Sequence, residues 1–192
     1  MRIVAGALRG RIIKAPEGEG TRPTTDRVRE ALFSSLYSYL GGFDGAVVLD
    51  AFAGSGALGI EAISRGADRA VFYENDRGAV RALRDNLKSC GLVPPRAVLM
   101  ERDVVKTPPS DSSSPFDLVF LDPPYRFDPV GIMRMVADMA SVGAVSPGAL
   151  IVYEHSLKSA DEVAGAFESI NAEVVTAKKY GKTGITTGII SE

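Results

Sequence analysis

The chain has 192 residues, 45% of them hydrophobic and 24% charged, the balance of one soluble globular domain or of one domain with a small appendage. At this length roughly two-thirds or more of the unfolded surface can be buried without covalent staples; the one cysteine, Cys90, excludes an internal disulfide, and the one histidine, His155, argues against a His/Cys zinc site. A net charge of −2 argues against a general nucleic-acid coat protein, no apolar run approaches the roughly 18 residues of a membrane span, and the stretch before Arg9 is too short for a signal peptide, so a cytoplasmic, metal-free protein is expected.

In chain order, Val4 to Lys14 holds Gly6 and Gly10 between two short stretches and reads as a small hairpin or arm. Residues 15–24 are rich in Gly and Pro and read as a loop. From Thr25 a helix is predicted, capped by Thr25 or Asp26 and ended by Gly41-Gly42, with Val28, Ala31, Leu32, Ser35, Leu36, Tyr39 and Leu40 on its buried face. Apolar strands then alternate with helices. Strands are predicted at 46–50, 70–74, 97–100, 116–121 and 149–153, and helices end near Arg65, carry Val80, Leu83 and Leu87, and span 132–142. Near-continuous apolar strands in that alternation predict a parallel sheet covered on both faces. A further helix at 162–167 precedes two strands, 172–179 and 185–190, whose Gly-bearing connection predicts an antiparallel hairpin. The expected fold is therefore α/β and Rossmann-like, with seven mostly parallel strands ending in an antiparallel hairpin, the layout of a methyltransferase sheet. Its division is residues 1–24 as a basic arm and loop, and residues 25–192 as the main domain. Residues 107–115, Thr-Pro-Pro-Ser-Asp-Ser-Ser-Ser-Pro, are read as an exposed, mobile loop.

Charge is unevenly placed. Residues 1–29 carry seven basic and three acidic residues, net +4, so the other 163 sum to −6. Lys178, Lys179 and Lys182 form a second basic group. A basic end on an acidic body suggests local attraction to a polyanion, although solvated surface charge accounts for the pattern equally well.

Gly54-Ser-Gly-Ala-Leu-Gly59 fits G-x-G-x-x-G between a strand and a helix, where glycine permits a tight turn and close approach of a ligand to bare backbone. Glu74, twenty residues after Gly54, ends the next strand and can accept hydrogen bonds from ribose hydroxyls. The pattern fits a nicotinamide dinucleotide as well as S-adenosylmethionine. Asp50 favours the second, because a carboxylate just before the loop repels a pyrophosphate and suits a ligand bearing an ammonium and a sulfonium.

Leu121-Asp-Pro-Pro-Tyr125 follows the fourth strand. Two prolines fix the backbone and remove its N–H groups, leaving carbonyls and side chains as the polar surface. An exocyclic nucleobase amine offers two N–H donors and a lone pair delocalised into the ring. Acceptors for both hydrogens, the Asp122 carboxylate and the Pro123 carbonyl, free that pair for attack on a methyl group. Pro124 holds the turn, and Tyr125 offers a face for a base taken out of its stack. A rigid turn without chemistry is the competing reading. Against it, Asp50, Glu74 and Asp122 all close predicted strands, the end at which open α/β sheets bind ligands. His155 is read as a packing or surface residue more readily than as a base, and Cys90 as structural.

The chain resembles the bacterial small-subunit (16S) ribosomal RNA guanine-N2 methyltransferases over essentially its whole length. The resemblance is carried by Arg2–Arg11, Thr21–Phe33, Leu49–Gly59, Asp122–Tyr125 and Tyr180–Thr183. It implies a Rossmann-like domain that uses S-adenosylmethionine to methylate N2 of one guanine. On this sequence Asp50, Gly54 and Gly56 would surround the methionine part of the cofactor, Glu74 would hold the ribose, and Asp103 would meet the adenine amino group. The arm, with Arg9, Arg11 and Lys14, and the segment Arg22–Arg29, with Arg22 and Arg27, would help hold RNA and close over the cofactor. The partner would be ribosomal RNA or the small subunit, and with no heptad seam a monomer is expected. An adenine-N6 DNA methyltransferase shares the chemistry; a nicotinamide-dependent oxidoreductase and a non-catalytic RNA-binding module are the further alternatives.

Overall fold

A computed structural model describes residues 1–16 and 25–191. They fall into two compact units, Met1–Asp103 and Val104–Glu192. In the first, α1 (Asp26–Leu40) is followed by β1 (Val47–Asp50), α2 (Ala57–Ser64), β2 (Arg69–Tyr73), α3 (Arg77–Ser89) and β3 (Ala97–Met100). β2 lies between β1 and β3, parallel to both, with Asp50 in register with Phe72 and Tyr73 with Met100. Val48, Leu49, Ala70 and Phe72 are fully buried, as expected of short strands covered on both faces.

In the second unit β4 (Phe116–Leu121), α4 (Pro129–Ser141), β5 (Val145–Ser156), α5 (Ala160–Glu168), β6 (Ala172–Tyr180) and β7 (Thr183–Ile190) follow one another. β4 and β5 are parallel, β7 is antiparallel to β5, and β6 is antiparallel to β7. The hairpin turns through Gly181, at φ +62°, and Lys182. The seven strands, mostly parallel with a closing antiparallel hairpin, are those predicted. Residues 107–115 contain neither helix nor strand, and no helix among the described residues is long and apolar enough to cross a membrane.

Two expectations need correcting. α1 is capped as predicted, Thr25 Oγ1 accepting from the Val28 N–H at 3.4 Å and Gly41 closing the helix at φ +71°. Its buried face, however, is Arg29, Leu32, Phe33 and Leu36, and Tyr39 is 44% exposed. The face is turned because Phe33 packs on Phe43, with ring centroids 5.6 Å apart, and Arg29 enters an ion-pair network. Arg29 is fully buried and so is no surface contact for RNA. Secondly, β5 runs from 145 to 156 rather than 149 to 153. An antiparallel partner, β7, pairs from Leu150 to Ser156, and Val145 pairs with Phe116 across an irregularity in the β4 register.

Candidate functional site

The cofactor half of the predicted site lies in the first unit. Asp50 is the last residue of β1, 3% exposed, and its Oδ2 accepts the Gly59 N–H at 3.0 Å. Burial raises its carboxyl pKa from an ordinary 3.8 to about 7; the Gly59 N–H opposes the shift and the negative charge of Glu74 adds to it. Glu74 follows β2 directly. Its Oε2 accepts from the Gly54 N–H at 2.8 Å, and its Oε1 from the N–H groups of Asn75 and Asp76, each at 2.8 Å. The ends of β1 and β2 thus bring together two carboxylates, Asp50 tied to backbone in the first turn of α2 and Glu74 to backbone of the loops after β1 and β2.

The glycines divide their work between ligand space and packing. Gly54, at φ +53°, has open space where a side chain would begin. Gly56, at φ +79°, has Leu83 there, and Gly59 has the ring of Phe72, so side chains at those positions would overlap the core. The loop is therefore drawn tight against β2 and α3 while its first glycine leaves backbone accessible. Open backbone beside a buried carboxylate and a second carboxylate fits a cationic ligand with a hydroxylated moiety. Phosphates would meet negative charge here. Asp103, three residues past β3 and half-buried, stands in the same unit.

The arm is bolted to this unit. Arg2 bridges to Ile12 in antiparallel fashion, with Ile3 N–H to Arg11 O at 2.9 Å and Ile13 N–H to Met1 O at 3.0 Å. Glu61, fully buried on α2, accepts from the N–H groups of Val4 (2.8 Å) and Ala5 (3.0 Å) and from Arg65 Nε (2.8 Å), with Arg29 Nε at 3.9 Å. Ser64 Oγ accepts from the Leu8 N–H and donates to the Ala5 carbonyl, and Gly6 lies so close to the Ser64 carbonyl that no side chain fits. At the arm's other end Asn86 accepts from the Lys14 N–H (2.8 Å) and donates to the Lys14 and Ser55 carbonyls (2.9 Å each). Asn86 thereby links the arm to the glycine loop. Arg9, Arg11 and Lys14 remain exposed on it, as does Arg27 on α1; Arg22 lies outside the described residues.

The acceptor half of the predicted site lies in the second unit. Asp122 leaves the end of β4 and is exposed, Pro123 is buried, Pro124 is exposed, and Tyr125 is 65% exposed. The Phe127 N–H donates to the Pro124 carbonyl at 3.0 Å, and Asp128 caps α4 by accepting from the N–H groups of Val130 (3.3 Å) and Gly131 (3.1 Å). Tyr153, in register with Leu121 on β5, is buried; its phenol is pushed well above the ordinary tyrosine value by burial, then by the negative charges of Asp128 and Asp122. It backs the motif as a neutral phenol. His155 is buried, with Nδ1 2.9 Å from the Ser156 carbonyl and Nε2 3.0 Å from Thr186 Oγ1, and its ring fills the space beside Gly184. Those contacts are those of a packing residue. Cys90, buried, closes α3.

Sequence reasoning missed Glu61, Asn86 and Tyr153. A signal existed for the first two: Glu61 is the one charged residue in the helix Ala57–Ser64, which is otherwise apolar up to its last residue, and Asn86 is a polar residue on the face of α3 that carries Val80, Leu83 and Leu87.

The fold is that of the Rossmann-like α/β methyltransferase class. The chain belongs to the family described as conserved hypothetical protein 95, which it matches over residues 1–189. It is 35% identical to YlbH of Bacillus subtilis over 188 residues, covering 96% of each chain. It is 40% identical over 131 residues to ribosomal RNA small subunit methyltransferase D of Haemophilus influenzae, covering 67% of this chain and 65% of that one. The solved structure of yhhF from Escherichia coli superimposes with a TM-score of 0.79 at 29% identity, covering all of this chain and 98% of the other.

Proposed function

We propose that the protein is an S-adenosylmethionine-dependent methyltransferase of ribosomal RNA, and that the group it methylates is the exocyclic N2 amine of a guanine in the small-subunit (16S) RNA. The coarser part rests on family membership and on relatives named as ribosomal RNA small subunit methyltransferases. The observation that carries the cofactor is the buried Asp50 carboxylate beside an open Gly54. The finer assignment to an amino group is supported by Asp122-Pro-Pro-Tyr125, an exposed carboxylate and an exposed aromatic ring on a proline-stiffened turn.

In this reading Asp50, Gly54 and Gly56 hold the methionine portion of the cofactor, Glu74 the ribose and Asp103 the adenine. When bound, S-adenosylmethionine supplies a methyl group on a positively charged sulfur, an already activated leaving group. Asp122 and the Pro123 carbonyl accept the two N–H bonds of the guanine amine, drawing nitrogen toward a tetrahedral geometry, and Tyr125 stacks on the ring. Asp122, or water, would accept the proton that the guanine amine sheds as its nitrogen takes the methyl group and the C–S bond breaks to leave a neutral thioether. The residues contribute positioning and hydrogen bonding, without a strong base. Arg9, Arg11, Lys14, Arg22 and Arg27 contact RNA phosphates; residues 1–24 serve as the arm and 25–192 as the catalytic domain of a cytoplasmic monomer.

The test is transfer of labelled methyl from S-adenosylmethionine to small ribosomal subunits lacking the modification, to protein-free ribosomal RNA and to duplex DNA, with digested product mapped to its nucleoside. Label in N2-methylguanosine is the expected result. Label only in DNA adenine would move the protein to that enzyme class.

A further inference from the structure

α3 carries a feature that the proposed site does not use. Arg77, Arg81, Arg84 and Lys88 stand at i, i+4, i+7 and i+11, so all four project from one side of the helix, opposite the side that buries Ala79, Leu83 and Asn86. All four are exposed. The row rises about 6 Å from Arg77 to Arg81 and about 16 Å from Arg77 to Lys88. Arg84 pairs with Glu101, but among the described residues Arg77, Arg81 and Lys88 enter no salt bridge. Asp85, the one acid within α3, bridges to none of them.

For the helix alone the gain from this arrangement is confined to its C-terminal half, where Arg81 and Lys88 lie one turn from Asp85 and Lys88 stands in the last turn. Arg77/Arg81 and Arg84/Lys88 are like-charge pairs at i,i+4, where opposite charges would stabilise the helix. Arg77 sits at the N-terminal residue, where the helix dipole disfavours a cation. A solvated helix face gains little from a one-sign row, whereas α1 alternates signs and pairs Arg29 with Asp26 across one turn. A row of cations fixed on a rigid helix suits a partner with regularly spaced negative charge, and outside residues 1–29 the chain is net acidic, so the row is no by-product of a basic composition.

We propose that the α3 row, Arg77, Arg81, Arg84 and Lys88, is a second contact surface for the ribosomal RNA phosphate backbone, additional to the arm. The inference rests on the ribosomal RNA reading above and names a further part of the protein that the substrate touches. The contact is electrostatic and reads no base, so it governs affinity and salt dependence rather than the choice of nucleotide.

The variant R77Q/R81Q/K88Q tests it, with 16S ribosomal RNA transcript as the probe in filter binding from about 50 to about 200 mM salt. Each lost phosphate contact lowers the slope of log affinity against log salt by roughly 0.7–0.9, so the three together should lower it by about 2 or more. The melting temperature should change little, because the relieved Arg77/Arg81 and Arg84/Lys88 repulsion is offset by the lost attraction of Arg81 and Lys88 for Asp85 and of Lys88 for the helix C-terminus, and S-adenosylhomocysteine affinity should not change. The combination of weaker RNA binding with an undiminished fold is specific to a surface contact. R77K/R81K, which keeps the charges, should retain the wild-type slope. If the triple variant fails to fold, R81Q alone should still lower the slope by a single contact.

An unchanged slope in a wild-type background that methylates ribosomal RNA overturns this proposal alone. So does a loss confined to duplex DNA, or a loss in R77K/R81K equal to that in the triple variant. Failure of the wild-type protein to bind or methylate ribosomal RNA instead overturns the substrate reading, and this proposal with it.

Discussion

Replacing Glu61 by alanine should loosen the arm and cost the protein a large part of its stability. Glu61 has no exposed side-chain surface, nor has Arg29, whose Nε lies 3.9 Å away. Its two oxygens also take the N–H groups of Val4 and Ala5 and the Arg65 guanidinium. Arg65 in turn reaches Glu30 at 2.6 Å and lies over the Phe33 ring at 5.0 Å, while Arg29 reaches Asp26 at 2.8 Å and the Arg2 carbonyl at 2.5 Å. One carboxylate therefore joins the arm, α1 and α2. Removing one partner of a buried pair costs about 3–5 kcal/mol, because the other charge stays buried. The separate hydrogen bonds are not added to that figure, since the arm can detach and let water reach its N–H groups. For a chain of this size each kcal/mol lowers the melting temperature by about 2–4 °C, so Glu61→Ala should melt about 6–20 °C lower. Glu61→Gln, which keeps one carbonyl acceptor, should lose less. Circular dichroism suits a chain without tryptophan, and hydrogen exchange should show faster exchange at Val4 and Ala5. A melting temperature within about 3 °C of wild type, with those two amides still protected, would refute the reasoning.

Three further outcomes are expected. Asp122→Ala should lower turnover by roughly 10²–10³ with little change in cofactor affinity, the usual effect of losing one transition-state hydrogen-bonding group; near wild-type turnover in a methyl-transfer assay would remove Asp122 from its role. Because Asp50 titrates near 7 in the fold and near 3.8 when exposed, the folded state binds the extra proton between those values, so its contribution to stability is full below about 4 and is lost as pH rises to about 7. Cofactor affinity should run the other way, rising as the Asp50 carboxylate ionises. Calorimetry from pH 6 to 8 should show the rise in wild type and not in Asp50→Asn. Arg9, Arg11 and Lys14 replaced together by Gln should weaken RNA binding and flatten its salt dependence, and an unaltered slope would mean that the arm does not contact phosphate.

Much of the local structure needed only the sequence. The strands Ala97–Met100 and Phe116–Leu121 have the bounds that their apolar runs predict, and Thr25 and Gly41 cap α1 because capping is decided within one helical turn. The strand–glycine–helix spacing likewise puts Asp50 at the end of one strand, Gly54 and Gly56 in the turn after it and Glu74 at the end of the next, where the fold has them. Tertiary structure decided what those signals could not reach. The spacing of apolar residues in α1 allowed more than one buried face; Phe43 and Glu61 selected the one that includes Phe33 and Arg29, moving a basic residue from the expected RNA surface into an ion-pair network. β5 gained its last residues from pairing with β7 and its first from Val145 against Phe116, and the fold buried His155 with its ring nitrogens facing Thr186 and the Ser156 carbonyl. The arm's attachment depends on hydrogen bonds between residues 56, 57 and 72 positions apart. Caps, turns and periodicity are properties of neighbouring residues and can be read locally. Which partner a buried charge or amide meets depends on how distant segments come together, because its free energy is set by the partner that replaces water.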